Sequence, residues 1–420
     1  MRSEGTTRQC VTAITAETSP VLDRTVPVGY LGCALRDIRK TWLEAVTGVL
    51  FCLVTPVGWA QQEASWAARW LAPLANPQSS LEEAGQHGVA FQYQYVHDLS
   101  AIPVGSSMEH AWFGRSTWTL SAAVDLDKTM GWHGSSGFVS MKQHVLEFGR
   151  MDDGFAQGYS NLDAEPYTML YEGWIQQQTL GGRLTLKAGQ MDSNADFDAL
   201  PSAGDFLNSS MGYSPTVMDF ATYPLPQPGA VVSAELGRAT RVEAGEFRTA
   251  GGRMSLLEGD RTWEAGAKER AGRAGIGMWH LTERLLRPDG KTVGGTSGFY
   301  GVLEQSLWTR GLANGKARTL EGYLQAGTGN EQVNPYRAHL GGGLVMSGPL
   351  EKRTADAAGI AASWVDLGAG GRETVIETYY KLKLGRTMSL VPDVQYFRNP
   401  GGCAAGGDAL VLTPRLVLTF

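Results

Sequence analysis

The chain has 420 residues, 43% of them hydrophobic, with 54 glycines, 18 prolines and a formal net charge of −6. That length is ample for one large domain or two smaller ones, and the composition is neither collagen-like nor disordered. Acids and bases are interspersed, so no basic stripe supports a nucleic-acid partner.

Residues 1–60 read as an N-terminal extension followed by a secretory signal peptide. Arg36, Arg39 and Lys40 supply the basic region, residues 45–57 the apolar region, and Gly58-Trp59-Ala60 a small-x-small cleavage site. The apolar run is too short and too broken by polar residues to span a bilayer comfortably. Cys10, Cys33 and Cys52 fall in this segment, which leaves only Cys403 and no intramolecular disulfide in the exported chain. No later run is long enough for a helical span, so membrane insertion requires a barrel. Residues 61–86 read as a short periplasmic segment, with Trp66, Trp70, Leu71 and Leu74 at helical spacing.

From His87 the period changes to two, the signature of strands. Val89, Phe91, Tyr93 and Tyr95 share one face, and Trp118, Leu120, Ala122, Val124 and Leu126 share another. Further strand-like runs lie near 136–148, 167–179, 182–192, 229–237, 239–248, 272–281, 297–309, 316–327, 337–347, 357–367, 373–385, 387–398 and 408–420. That makes fifteen, and barrels of bacterial outer membranes have even strand numbers, so sixteen is the expected completion. The fold class is therefore all-β, a transmembrane antiparallel barrel of about 16 strands over 87–420. Tyr93, Tyr95, Trp112, Trp132, Tyr167, Trp308, Tyr379, Tyr380 and Tyr396 are expected in interfacial girdles, although aromatics also favour strands in general.

Two stretches depart from strands. Residues 193–227, rich in Gly, Pro, Ser and Asp, read as a long loop able to fold inward, with a short helix expected near 205–209. Residues 249–271, of mixed charge, read as a solvated external loop. In the last stretch Leu410, Leu412, Leu416, Leu418 and Phe420 form an apolar face, opposed by Val411, Thr413, Arg415, Val417 and Thr419. This is the expected closing strand, paired with the first near 88–98, with Pro414 removing one ladder donor from that seam. Its terminal Phe420 is the feature that barrel-insertion machinery would read.

No catalytic constellation emerges, the seven histidines are scattered, and neither a metal site nor a cofactor is indicated. An enzymatic barrel, such as a lipid hydrolase, would have to be assembled across strands without sequence support. Polar strand faces say more. Leu170, Glu172, Trp174, Gln176 and Gln178 share one face; Arg183, Thr185, Lys187 and Gly189 share another; Glu377, Tyr379, Lys381 and Lys383 a third. An Arg or Lys on the lipid face near mid-bilayer costs roughly 2–4 kcal/mol, so these faces belong to the lumen. A lumen of mixed charge, amides and aromatics suits a polyhydroxylated neutral ligand, whereas an ion-selective pore would show one dominant sign.

Several blocks resemble the carbohydrate-selective porin (OprB) family. They are Leu-Tyr-Glu-Gly-Trp-Ile-Gln-Gln at 170–177, the run at 182–197, Phe-Leu-Asn-Ser-Ser-Met-Gly at 206–212, 223–229, 373–380, 391–401 and the terminal strand; the segment 81–85 is also similar to the lead into the family's first strand. The resemblance implies a sixteen-stranded outer-membrane barrel of a Gram-negative bacterium that passes glucose and similar sugars by diffusion, with inward loops and a charged eyelet. Gly173 and the residues at 198–201 depart from the family pattern, which bears on sugar preference. Glu172, Trp174, Gln176, Arg183 and Lys187 are then expected to line the pore. Asp192, Asn194 and Asp196 are expected to anchor the following loop, Phe206 and Asn208 to belong to the constriction, and Glu377, Lys381, Asp393 and Arg415 to line the lumen further. The expected partners are monosaccharides or related small carbohydrates and outer-membrane lipids. A monomer is the default and a trimer stays open. The rival within the fold is a general diffusion porin without sugar selectivity.

Overall fold

A computed structural model describes residues 87–105, 111–148, 154–265, 270–311 and 317–420. The expected targeting and periplasmic segments, and the block at 81–85, lie outside the described residues.

Sixteen strands form one closed antiparallel barrel. The first eight are β1 (Val89–Val104), β2 (Trp112–Asp125), β3 (Ser135–Phe148), β4 (Tyr167–Thr179), β5 (Leu184–Met191), β6 (Gln227–Glu235), β7 (Thr240–Arg248) and β8 (Arg253–Ala265). The second eight are β9 (Arg270–Leu286), β10 (Thr292–Gly311), β11 (Ala317–Thr328), β12 (Ala338–Ser347), β13 (Ala357–Asp366), β14 (Arg372–Leu384), β15 (Met388–Arg398) and β16 (Ala409–Thr419). Each strand pairs with its neighbours in sequence, and β1 closes on β16. Closure leaves no open sheet edge, as a spanning sheet requires.

The strand absent from the fifteen is β8, inside the stretch read as an external loop. Its alternation is regular, with Met254, Leu256, Glu258 and Asp260 buried and Leu257, Gly259 and Arg261 exposed. Neither face is apolar throughout, so the period does not stand out against a loop of mixed charge. The helix expected near 205–209 is also absent; two 3-10 turns occur earlier, at Ser193–Ala195 and Pro201–Ala203.

The outer wall carries the apolar residues. Phe91, Trp118, Leu120, Ile276, Phe299, Leu324, Leu340, Ile360 and Leu412 are all exposed. Trp112, Trp132, Trp308 and Tyr396 are exposed as expected of interfacial rings. Tyr167 and Tyr379 correct that expectation: Tyr167 packs beside Tyr223, and Tyr379, 3% exposed, meets Phe206 inside the barrel. The densest apolar packing is inside too, where Phe155, Tyr159, Phe206, Leu207 and Met211 from two inward loops meet Tyr323, Tyr379 and Phe397 of the wall.

At the seam, Asp98 pairs with Arg415 and Ala101 with Leu412, and the ladder is interrupted between them, opposite Pro414. A register shift follows between Ala101 and Val104. The proline gap thus sits beside an irregularity, where a missing donor costs least. Observed pairing runs over 94–104, further along β1 than the expected 88–98.

Candidate functional site

The longest connection, 192–226 between β5 and β6, is folded into the lumen. Its entry is fixed by short-range bonds. Asp192 accepts from the Asn194 N–H at 3.1 Å and from the Tyr171 hydroxyl at 2.8 Å, while its own N–H donates to Glu172 at 3.2 Å. Asn194 donates to the Phe197 and Asp198 carbonyls, each at 3.2 Å. Lys187 donates to Asp196 at 2.8 Å, with its ammonium 4.6 Å from the Trp174 ring centre. Phe197 then enters the space above Gly245, where an added Cβ would lie 2.8 Å from the ring.

Beyond Phe197 the loop crosses the barrel, and wall carboxylates receive its backbone. Glu258 of β8 accepts from the Asp198 N–H at 2.8 Å, and Glu304 of β10 from the Ser202 N–H at 2.9 Å. Glu377 of β14 receives the N–H groups of both Leu207 and Asn208. Gln325 of β11 donates to the Ser210 and Met211 carbonyls at 2.7 and 3.1 Å. Backbone taken out of water needs such partners, and bonds to ionised groups are the stronger kind. Asp198 itself is buried and accepts from the Ser214 N–H at 2.7 Å; burial pushes its carboxyl well above the ordinary range.

A second inward loop, 154–166, is held in the same manner. Glu373 accepts from the N–H groups of Ala156 and Gln157 at 2.9 and 2.8 Å. Arg415 bonds Asp98 at 2.7 and 2.8 Å and Asn161 at 2.7 Å. The loops also bond each other, Asn161 N–H to Leu207 carbonyl at 2.7 Å and Ser209 N–H to Gly158 carbonyl at 2.9 Å. The result is a fastened partition inside the barrel.

Open space remains on both sides of it. A cavity of about 720 Å³ lies between the partition and β8–β11, with Ser202, Trp263, Arg273, Glu304 and Glu321 in its lining. Another, of about 350 Å³, lies between 209–223 and the loop 329–337, with Tyr213, Phe220, Tyr223, Asn334 and Tyr336 in its lining. Both volumes fall in the ~300–1,000 Å³ range of small-molecule pockets. Arg273 is the most connected cation of the larger one. It donates to Glu258 and Asp260 at 2.8 Å each and to the Ala199 carbonyl at 2.7 Å, with Glu304 at 3.5 Å. Lys381 and Asp205 pair at 2.6 Å and stay 30% and 32% exposed.

The expected site residues divide accordingly. Glu172, Trp174, Gln176, Asp192, Asn194 and Asp196 are partly exposed, and Glu172, Trp174 and Gln176 point inward. Leu170 does not share their face: a bulge at Tyr171, opposite the step from Ser140 to Met141, turns Leu170 outward and brings Tyr171 in. Arg183 is a correction, since it lies exposed in the turn between β4 and β5 and not on the lumen wall. Lys187, Phe206, Asn208, Glu377, Asp393 and Arg415 are on the inner side, but all are buried under the loops or in the partition. They fasten the inward loops and do not face open lumen. Glu258, Asp260, Arg273 and Glu304 were missed. The signal that could have found Glu258 and Asp260 is the alternation of β8; Arg273, on the adjacent β9, carries no such local signal.

A family model for carbohydrate-selective porins, the OprB family, matches residues 115–278 and 277–420. The chain belongs to that family. Its function as a carbohydrate-selective porin of the outer membrane follows from that membership. The porin is similar in fold to the high-pH structure of OprB from Pseudomonas putida, with TM-score 0.73 and 17% identity over 83% of this chain and 97% of that one. The low-pH structure of the same protein gives 0.56 at 17% identity, covering 86% and 100%. A loop-deletion mutant of OmpT from Vibrio cholerae gives 0.50 at 11% identity, covering 79% and 99%. No curated protein sequence matches the porin. Identities this low carry the barrel and not the site.

Proposed function

We propose that this porin passes neutral sugars of monosaccharide size, glucose among them, between its two cavities along the free edge of the partition, with no catalytic step. The observation that carries the reading is the pairing of opposite charges that remain partly exposed inside the barrel: Arg273 with Glu304, and Lys381 with Asp205. Paired charges present many donors and acceptors without a dominant sign, which suits hydroxyl-rich neutral solutes. Trp174 and the tyrosines around the smaller cavity offer flat faces for sugar C–H groups. Glu172, Trp174 and Gln176 line the approach, while Asp192, Asn194 and Asp196 hold the loop that narrows it. The exported chain acts in the outer membrane after removal of its signal peptide, as a monomer, its terminal Phe420 read by the insertion machinery.

The test is single-channel conductance in planar bilayers with a panel of sugars. Millimolar glucose is expected to reduce the current partially and saturably, and Arg273→Gln and Glu304→Gln to weaken that effect. Conductance indifferent to every sugar would place the residues in a general diffusion pore.

A further inference from the structure

On the outer wall, away from the sugar path, β7–β10 carry an unusual surface at the end opposite the chain termini. That end bears the long loops and therefore faces outside the cell. Arg248 of β7 and Arg253 of β8 stand directly opposite one another in the ladder. Both are exposed, and the residues next to them, Phe247 and Met254, are buried in the barrel, so both arginines point outward. Like charges facing across a strand pair repel. Arg284 of β9 is exposed on the same side, two residues beyond Thr282, whose hydroxyl accepts from the Arg253 N–H at 2.9 Å.

The chain supplies little to offset these charges. Glu246 pairs with Arg253 at 3.2 Å, both groups more than half exposed. Glu283 lies nearby, but its carboxylate is taken by the turn, accepting from the Thr249 hydroxyl and the Gly251 N–H. Three guanidiniums therefore stand against one free-facing carboxylate. Below one polar row of Glu246, Ser255, His280 and Ser297, the wall on the same strands becomes apolar and exposed, with Leu257, Ile276, Met278 and Phe299.

We infer that Arg248, Arg253 and Arg284 form a binding site for the phosphorylated headgroup of an outer-leaflet glycolipid, whose acyl chains lie on the apolar wall beneath. Guanidinium forks match phosphate oxygens bidentately. A soluble anion would gain nothing from the apolar surface, whereas an amphiphile covers both parts at once. Bound phosphate also relieves the repulsion between Arg248 and Arg253. None of the three arginines touches the lumen, so the site is independent of sugar passage.

The experiment is a binding titration of the full porin in lipid nanodiscs with diphosphoryl lipid A, monophosphoryl lipid A and a phosphate-free acylated glucosamine disaccharide. The expected order of affinity follows phosphate number, and inorganic phosphate competes only weakly. A variant carrying Arg248→Ser, Arg253→Ser and Arg284→Ser is expected to lose about 100-fold in affinity for diphosphoryl lipid A, at roughly fivefold per basic residue near the surface. Arg398→Ser, an exposed position on β15, serves as the control and is expected to change nothing. Wild-type affinity independent of phosphate number overturns the inference without any variant. So does a triple variant that binds as well as wild type, or full displacement by inorganic phosphate.

Discussion

Asp98 and Arg415 meet across the strand pair that closes the barrel, joined by two hydrogen bonds of 2.7 and 2.8 Å and both buried. The pair sits next to the gap that Pro414 leaves in the ladder. It links the first and last strands where their backbones do not.

Breaking one partner of a buried ion pair costs about 3–5 kcal/mol, because the other is left charged and unpaired. Arg415→Met is therefore expected to lower the urea midpoint of unfolding clearly, followed by heat-modifiable gel mobility. The double variant Asp98→Leu, Arg415→Met should recover part of the loss. A single variant as stable as wild type would show that the seam does not depend on the pair.

Glu377 receives two backbone N–H groups of the partition. Glu377→Ala leaves both buried without an acceptor. A buried donor left unsatisfied costs about 1–3 kcal/mol, so amide exchange at Leu207 and Asn208 should accelerate about 10- to 100-fold while the strands keep their protection.

Lys381 of β14 and Asp205 of the inward loop form a partly exposed pair. Lys381→Ala is expected to weaken the glucose effect on conductance by roughly 10-fold, the value of one charge-assisted hydrogen bond. Stability should change little, since exposed pairs contribute about 0–1 kcal/mol.

Asp356 lies in the turn between β12 and β13, outside the strands. Arg353 hydrogen-bonds its carboxylate, the Tyr380 hydroxyl donates to it at 2.7 Å and the Lys383 N–H at 3.0 Å; together they lower its pKa to about 2. A folded pKa below the unfolded value means that the unfolded turn binds protons first. The stabilisation is present above about pH 4 and is lost as pH falls through 2. Amide protection around 348–356 should fall over that window, and Asp356→Asn should remove the pH dependence.

Much of this architecture is written in the period of the side chains. Wherever one face is apolar, as in Leu410 to Leu418, strand and orientation can both be read, and Arg415 faces inward as its alternation requires. The reading fails where the physics hides the period. β8 opposes Glu258 and Asp260 with a face holding Ser255 and Arg261, so both sides look polar. The bulge at Tyr171 reverses facing in one step, and a two-residue count cannot detect it. The fastening of the loops was equally illegible. Glu377 and Asp393 look like pore charges in sequence, and only the path of the loop covers them. Arg273 acquires its partners from β8, β10 and the loop, at separations no local pattern encodes.

The same strand has a consequence for the membrane around it. On β8 the outward apolar stretch is only Leu257 and Gly259, bounded by Ser255 above and Arg261 below. Six residues of tilted strand separate those two polar positions, about 15 Å along the bilayer normal, against the ~25 Å apolar band usual for such barrels. The hydrocarbon beside β8 must therefore thin, or Arg261 must snorkel. A dent of this kind has an elastic cost that two barrels can share by placing their short sides together. The lipid would then orient neighbouring porins without any contact designed between them.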